Sequence, residues 1–100
     1  MSLPASAPGS DPGIERVVTI LNKRGLHARA AAKFVKLAAQ FAAELTVTKD
    51  GVSVSGRSIM GLMMLAAGPG SDVLLHASGE DAVAALDAVT ALIAARFDED

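Results

Sequence analysis

Two polar residues able to handle phosphate stand close together in the segment Gly25-Leu26-His27-Ala28-Arg29. The segment lies where a polar turn, residues 22–25, gives way to a run with helical periodicity. A histidine at that point faces backbone N–H groups that have no partner within the helix, and the positive end of the helix dipole. Both favour the neutral ring over imidazolium, and a neutral ring nitrogen is a nucleophile at neutral pH. A phosphoryl group added there meets the same N–H groups, which suit an anion. Arg29 adds a fixed cation with planar donors for phosphate oxygens. Taken alone, the residues admit a second reading, in which His27 is a surface residue that merely caps a helix.

The elements that must position this pair follow from the apolar pattern. Residues 14–21 are short and β-branched, as in a strand, with Val18 and Ile20 on one side and Thr19 on the other. From His27 onward Ala31, Phe34, Val35, Ala38, Phe41 and Ala42 recur at three and four, which predicts a helix with one apolar stripe. Arg29, Lys33, Lys36 and Gln40 fall on its polar side. Leu45 and Val47 alternate with threonines in a second strand. Asp50-Gly51 is a hairpin signal, and Val52 and Val54 alternate in a third strand. Ser58 is a good N-cap for a short helix over residues 59–65, closed by Gly68-Pro69-Gly70. Val73, Leu75 and Ala77 mark a fourth strand, which leaves His76 on its opposite, solvated face. Ala82, Leu86, Val89, Ile93 and Phe97 mark a final amphipathic helix. Strands and helices in this order predict an α+β fold, an antiparallel sheet with one face covered by helices.

Composition narrows the chemistry. Hydrophobic residues make up 51% of the 100 residues and charged residues 20%, enough to fill the core of one folded domain. Residues 1–13 carry Pro4, Pro8, Pro12, Gly9 and Gly13 without periodicity, so they are expected to form a flexible tail before a domain at 14–100. Aromatic residues are 3% and the formal charge is -2, which argues against a nucleic-acid-binding surface. Cysteine is absent and the two histidines lack metal-site spacing, so neither thiol chemistry nor a metal is expected. Residues 1–13 do not read as a signal peptide, and no stretch reaches the roughly 18 apolar residues of a membrane span. A soluble cytoplasmic monomer without membrane insertion is the expectation.

Two segments resemble a known family. Gly25-Leu26-His27-Ala28-Arg29-Ala30-Ala31 resembles the active-site segment of HPr, the histidine-containing phosphocarrier of the phosphoenolpyruvate-dependent phosphotransferase system. Arg57-Ser58-Ile59-Met60-Gly61-Leu62-Met63-Met64-Leu65 resembles that family's regulatory-serine segment, in the same order and at the same separation. The resemblance covers residues 14–97. It implies an open-faced sandwich of four antiparallel strands with three helices on one side. It further implies phosphorylation at Nδ1 of His27, steadying of the phosphoryl group by Arg29, and phosphorylation of Ser58 by an HPr kinase/phosphorylase. Enzyme I as donor, an Enzyme IIA domain as acceptor and a carrier that needs no cofactor are implied as well. One departure is Ala30, where the family usually has proline; alanine leaves an extra N–H and a looser entry to the helix.

Around this frame, a short helix buries at most half its positions, so part of the run from Ile59 to Met64 must be exposed. Met60 and Met63 are expected to contact partners there. Lys33 and Lys36 share the polar face with Arg29 and are expected to steer acidic partners. Two other readings stay open: a mainly regulatory interaction protein of a nitrogen-related phosphotransferase branch, and a small-molecule-binding α+β module.

Overall fold

Alternating apolar residues and tight turns build the sheet. The computed structural model describes residues 13–99, so residues 1–12 of the expected tail lie outside it. Strands β1 (Ile14–Thr19), β2 (Glu44–Lys49), β3 (Val52–Ser55) and β4 (Asp72–Ser78) form one sheet in the order β1-β4-β2-β3. All neighbours run antiparallel. The β2–β3 hairpin turns at Asp50 and Gly51, with φ of 51° and 82°. Two successive positive φ values match the twist of the flanking strands.

The register sets which face is wet. Val18 lies opposite Val73, and Leu75 lies between Arg16 and Val47, so these side chains share one face. Leu45, Val47, Val73, Leu75 and Ala77 are buried on it. Helices α1 (Ala28–Ala38), α2 (Ile59–Met64) and α3 (Ala82–Ala94) cover that face. They contribute Phe34, Leu62, Leu86, Val89 and Ile93 to the core. Each such side chain, fully buried, stabilises the fold by about 1.5–3 kcal/mol. On the reverse face Glu15, Val17 and Thr19 are exposed, and Thr46, Thr48 and His76 are half-buried. The expected open-faced sandwich is the observed fold.

Four element ends differ from the sequence reading. Strand β1 stops at Thr19 rather than residue 21, and Ile20 N–H donates instead to Ser71 O at 2.8 Å. Helix α1 stops at Ala38, with Ala39 as its C-cap, so Phe41 and Ala42 lie past its end. Helix α2 stops at Met64, before the glycine-proline segment; Ala66 adopts a left-handed φ of 53° and turns the chain out of the helix. Helix α3 stops at Ala94 rather than reaching Phe97. A 3-10 turn, Arg96–Asp98, follows it, and all three residues are left-handed, with φ of 57°, 55° and 59°. Phe97 is nonetheless fully buried. Among the described residues no helix is long and apolar enough to cross a membrane, and no cluster of side chains could hold a metal ion.

Candidate functional site

The loop before α1 is clamped from behind. Gly25 has φ 62°, and a Cβ there would sit 2.1 Å from the carbonyl oxygen of Ala67. Glycine allows the two backbones to touch, and Leu26 N–H then donates to that same carbonyl at 3.0 Å. Leu26 is buried, which closes the loop onto the segment after α2. The residue that follows, His27, is therefore delivered to a fixed place at the helix start.

His27 is the N-cap of α1, with extended backbone (φ -77°, ψ 178°). Its carbonyl accepts from Ala31 N–H at 2.8 Å. Its side chain makes no capping hydrogen bond, so the first turn of α1 keeps its donors uncapped by any side chain. The imidazole faces Glu99 instead, with Nε2 3.0 Å from both carboxylate oxygens. Both side chains are mostly covered, at 22% and 18% exposure. Asn22 Nδ2 donates to Glu99 Oε2 at 2.7 Å and to Gly25 O at 2.9 Å. The Asn22 hydrogen bond is the largest influence holding the Glu99 carboxyl below its ordinary value. The hydrogen bond from His27 and the charge of Lys33 act the same way, and partial burial opposes them. An ionised carboxylate only accepts. In the neutral ring the proton is thus on Nε2, and the lone pair is on Nδ1.

A shallow depression of about 210 Å³ opens beside the ring, lined by Arg24, Leu26, His27, Ala66, Ala67 and Gly68. Arg29 lies at the second position of α1, is exposed and has no partner among the described residues. Ala30 is fully buried at the third position of α1. Ser58 caps α2, its Oγ accepting from Gly61 N–H at 2.9 Å.

The expected partner-binding residues separate. Met60 is 69% exposed and Met63 only 38%, whereas Met64, not singled out from sequence, is 76% exposed. Lys36 is exposed. Lys33 is half-buried, and its Nζ donates to Phe97 O at 2.6 Å, tying α1 to the 3-10 turn. Asn22, Arg24 and Glu99 were missed. Asn22 and Arg24 carried a weak signal as polar residues of the turn before His27. Glu99 carried none, being 72 residues away.

The chain as a whole is similar to known proteins. Residues 14–95 match the family model described as the PTS HPr component phosphorylation site. The chain is 51% identical to phosphocarrier protein HPr of Cupriavidus necator, over 86% of its own length and 97% of that protein's. It is also 51% identical to phosphocarrier protein NPr of Shewanella violacea, over 86% of its length and 94% of that protein's. Among solved structures, HPr of Thermoanaerobacter tengcongensis superposes with a TM-score of 0.83 at 42% identity, covering 87% of this chain and 98% of that one.

Proposed function

The chain belongs to the HPr family of phosphotransferase-system phosphocarriers, and from that premise we propose that it takes a phosphoryl group from phosphorylated Enzyme I onto Nδ1 of His27 and passes it to an Enzyme IIA domain. The observation that carries this reading is the geometry of His27. The ring stands at an uncapped helix N-terminus with Nε2 engaged and Nδ1 left as the available nitrogen. In transfer the Nδ1 lone pair forms a bond to phosphorus while the bond from phosphorus to the donor breaks, and the donor group leaves with that electron pair. The first-turn N–H groups and the Arg29 guanidinium then meet the phosphoryl oxygens. The protein is a substrate passed between enzymes, not an enzyme with its own turnover.

Its domain, residues 14–100, works in the cytoplasm as a monomer. Partners dock on the exposed apolar surface of α2, where Ile59 and Met60 follow the cap residue Ser58 and Met64 closes the helix. Phosphorylation of Ser58 by an HPr kinase/phosphorylase would add about −1.5 to −2 charge at this surface and weaken docking there. A mainly regulatory role in a nitrogen-related branch is the second reading, and relatives named HPr and NPr share the same 51% identity with this chain. The two readings differ in which Enzyme I phosphorylates the chain faster.

The test is phosphorylation by Enzyme I and phosphoenolpyruvate, read by intact-protein mass and acid lability. The wild type should gain one acid-labile phosphoryl group, and His27→Ala should gain none while keeping its circular dichroism spectrum. Labelling of His27→Ala at the wild-type level would sink the assignment.

A further inference from the structure

The turn after α3 places a charge that the carrier reading leaves unused. Had α3 continued, Glu99 would lie about 7.5 Å further along the helix axis than Ala94. Instead three successive L-residues sit in the left-handed region, which crowds Cβ against the backbone and is unfavourable for each of them. Burial of Phe97 and the Lys33 hydrogen bond to its carbonyl hold this turn. Strain retained beside a functional group raises the question of what it achieves. Here it brings the Glu99 carboxylate onto Nε2 of His27, and Asn22, itself fully buried, fixes the carboxylate from the other side.

We propose that Glu99 is a positioning residue for phosphoryl transfer, which holds the Nε2 proton of His27 in place through the whole cycle. The inference rests on the carrier reading above. The chemistry follows from charge balance. Attack by the Nδ1 lone pair forms the N–P bond and leaves the ring carrying a positive charge, with its proton still on Nε2. If that proton is lost to solvent, the later departure of the phosphoryl group must release an imidazolate, a poor leaving group. If it is retained, the N–P bond pair returns to Nδ1 and the ring leaves neutral. A carboxylate hydrogen-bonded to Nε2–H favours the retained state and strengthens its bond as the ring becomes cationic. No proton moves in either direction, so the carrier can receive and donate through the same atoms. Lys33 beside Glu99 and Arg24 in the adjoining depression are cations, which cannot accept the Nε2 proton's hydrogen bond.

The experiment compares the full chain with Glu99→Gln, which keeps the side-chain shape and removes the charge, and with Glu99→Ala. Ring nitrogens of ¹⁵N-labelled protein are followed by long-range proton–nitrogen correlation in mildly alkaline buffer, before and after phosphorylation by Enzyme I. Rapid-quench transfer to an Enzyme IIA domain is measured on the same samples. In the wild type the phosphorylated ring should show a protonated Nε2. Both variants should shift that nitrogen toward the unprotonated value and slow the transfer step about tenfold, with KM little changed. A wild-type nitrogen shift or a wild-type transfer rate in Glu99→Gln overturns the proposal. So does a lower melting temperature with an unchanged nitrogen shift, since that is a structural role only. Absence of His27 phosphorylation in the wild type itself would instead bring down the carrier reading, and this inference with it.

Discussion

Gly25 offers a direct measure of how tightly the site loop is clamped. Replacing it by alanine has two costs. The left-handed φ of 62° strains any L-residue, at about 1 kcal/mol. The new Cβ would stand 2.1 Å from Ala67 O and 2.8 Å from Gly68 Cα, both backbone atoms, so the loop must separate from the 66–68 segment. Separation breaks the hydrogen bond from Leu26 N–H to Ala67 O and leaves buried groups unpaired, at roughly 1–3 kcal/mol. The sum is about 2–4 kcal/mol. For a domain of this size each kcal/mol lowers the melting temperature by about 4–8 °C, which puts the expected loss at roughly 8–32 °C. Gly51→Ala is the control. Its φ of 82° is also left-handed, but nothing lies within 4 Å of a Cβ there, so only the conformational cost of about 1 kcal/mol applies. Thermal denaturation by circular dichroism on both variants separates strain from contact. Equal melting temperatures for the two would refute the close approach at Ala67. The same displacement moves His27, so Gly25→Ala should also lose phosphoryl acceptance at temperatures where it remains folded.

Ser58→Ala should cost about 1 kcal/mol through loss of the bond from Gly61 N–H, with phosphorylation by Enzyme I near the wild-type rate. Ser58→Asp keeps a capping oxygen, so it should stay as stable as wild type but transfer more slowly; a folded Asp variant at full speed would reduce Ser58 to a cap. Glu99 predicts a pH dependence. Its carboxyl is held below its usual value in the fold, so the unfolded chain binds more protons in acid, and the stabilisation is present above the unfolded value of 4.5 and lost as pH falls through the folded one. Urea midpoints of wild type and Glu99→Gln should therefore keep a constant gap at neutral pH that narrows below about pH 5, and a gap that widens in acid would contradict the geometry.

Much of the scaffold was readable because its signals are local. Leu45 and Val47, then Val73, Leu75 and Ala77, alternate at the strand period, and every one of them is buried. Asp50-Gly51 and Ser58 act through their own backbone neighbours, so turn and cap appear where the residue types place them. The end of α3 was not readable, because Phe97 follows Ile93 at helical spacing and is buried either way. The phase of α2 was ambiguous for a different reason. In six residues the pattern cannot reveal that Leu62 alone points inward, which puts Met60 and Met64, each about 200° around the helix, on the outside. At the site, the helix start explains His27 and Arg29. The Glu99–His27 pair and the Lys33 bond to Phe97 O join residues far apart in sequence, and no periodicity reports such meetings.

The sheet order also governs how the chain leaves the ribosome. Strand β4 sits between β1 and β2, yet it is the last strand to be synthesised. The β2–β3 hairpin can close on its own as soon as it emerges, but β1 has no partner until β4 arrives, with 53 residues separating Thr19 from Asp72. Closure over that distance is the slow kind of contact in small-domain folding. At roughly 5–20 residues per second, translating the intervening chain keeps Val17 and Val18 on an unpaired strand for about 3–10 s. During that interval the nascent chain depends on the charges of Glu15 and Arg16, beside those valines, to discourage pairing with other strands.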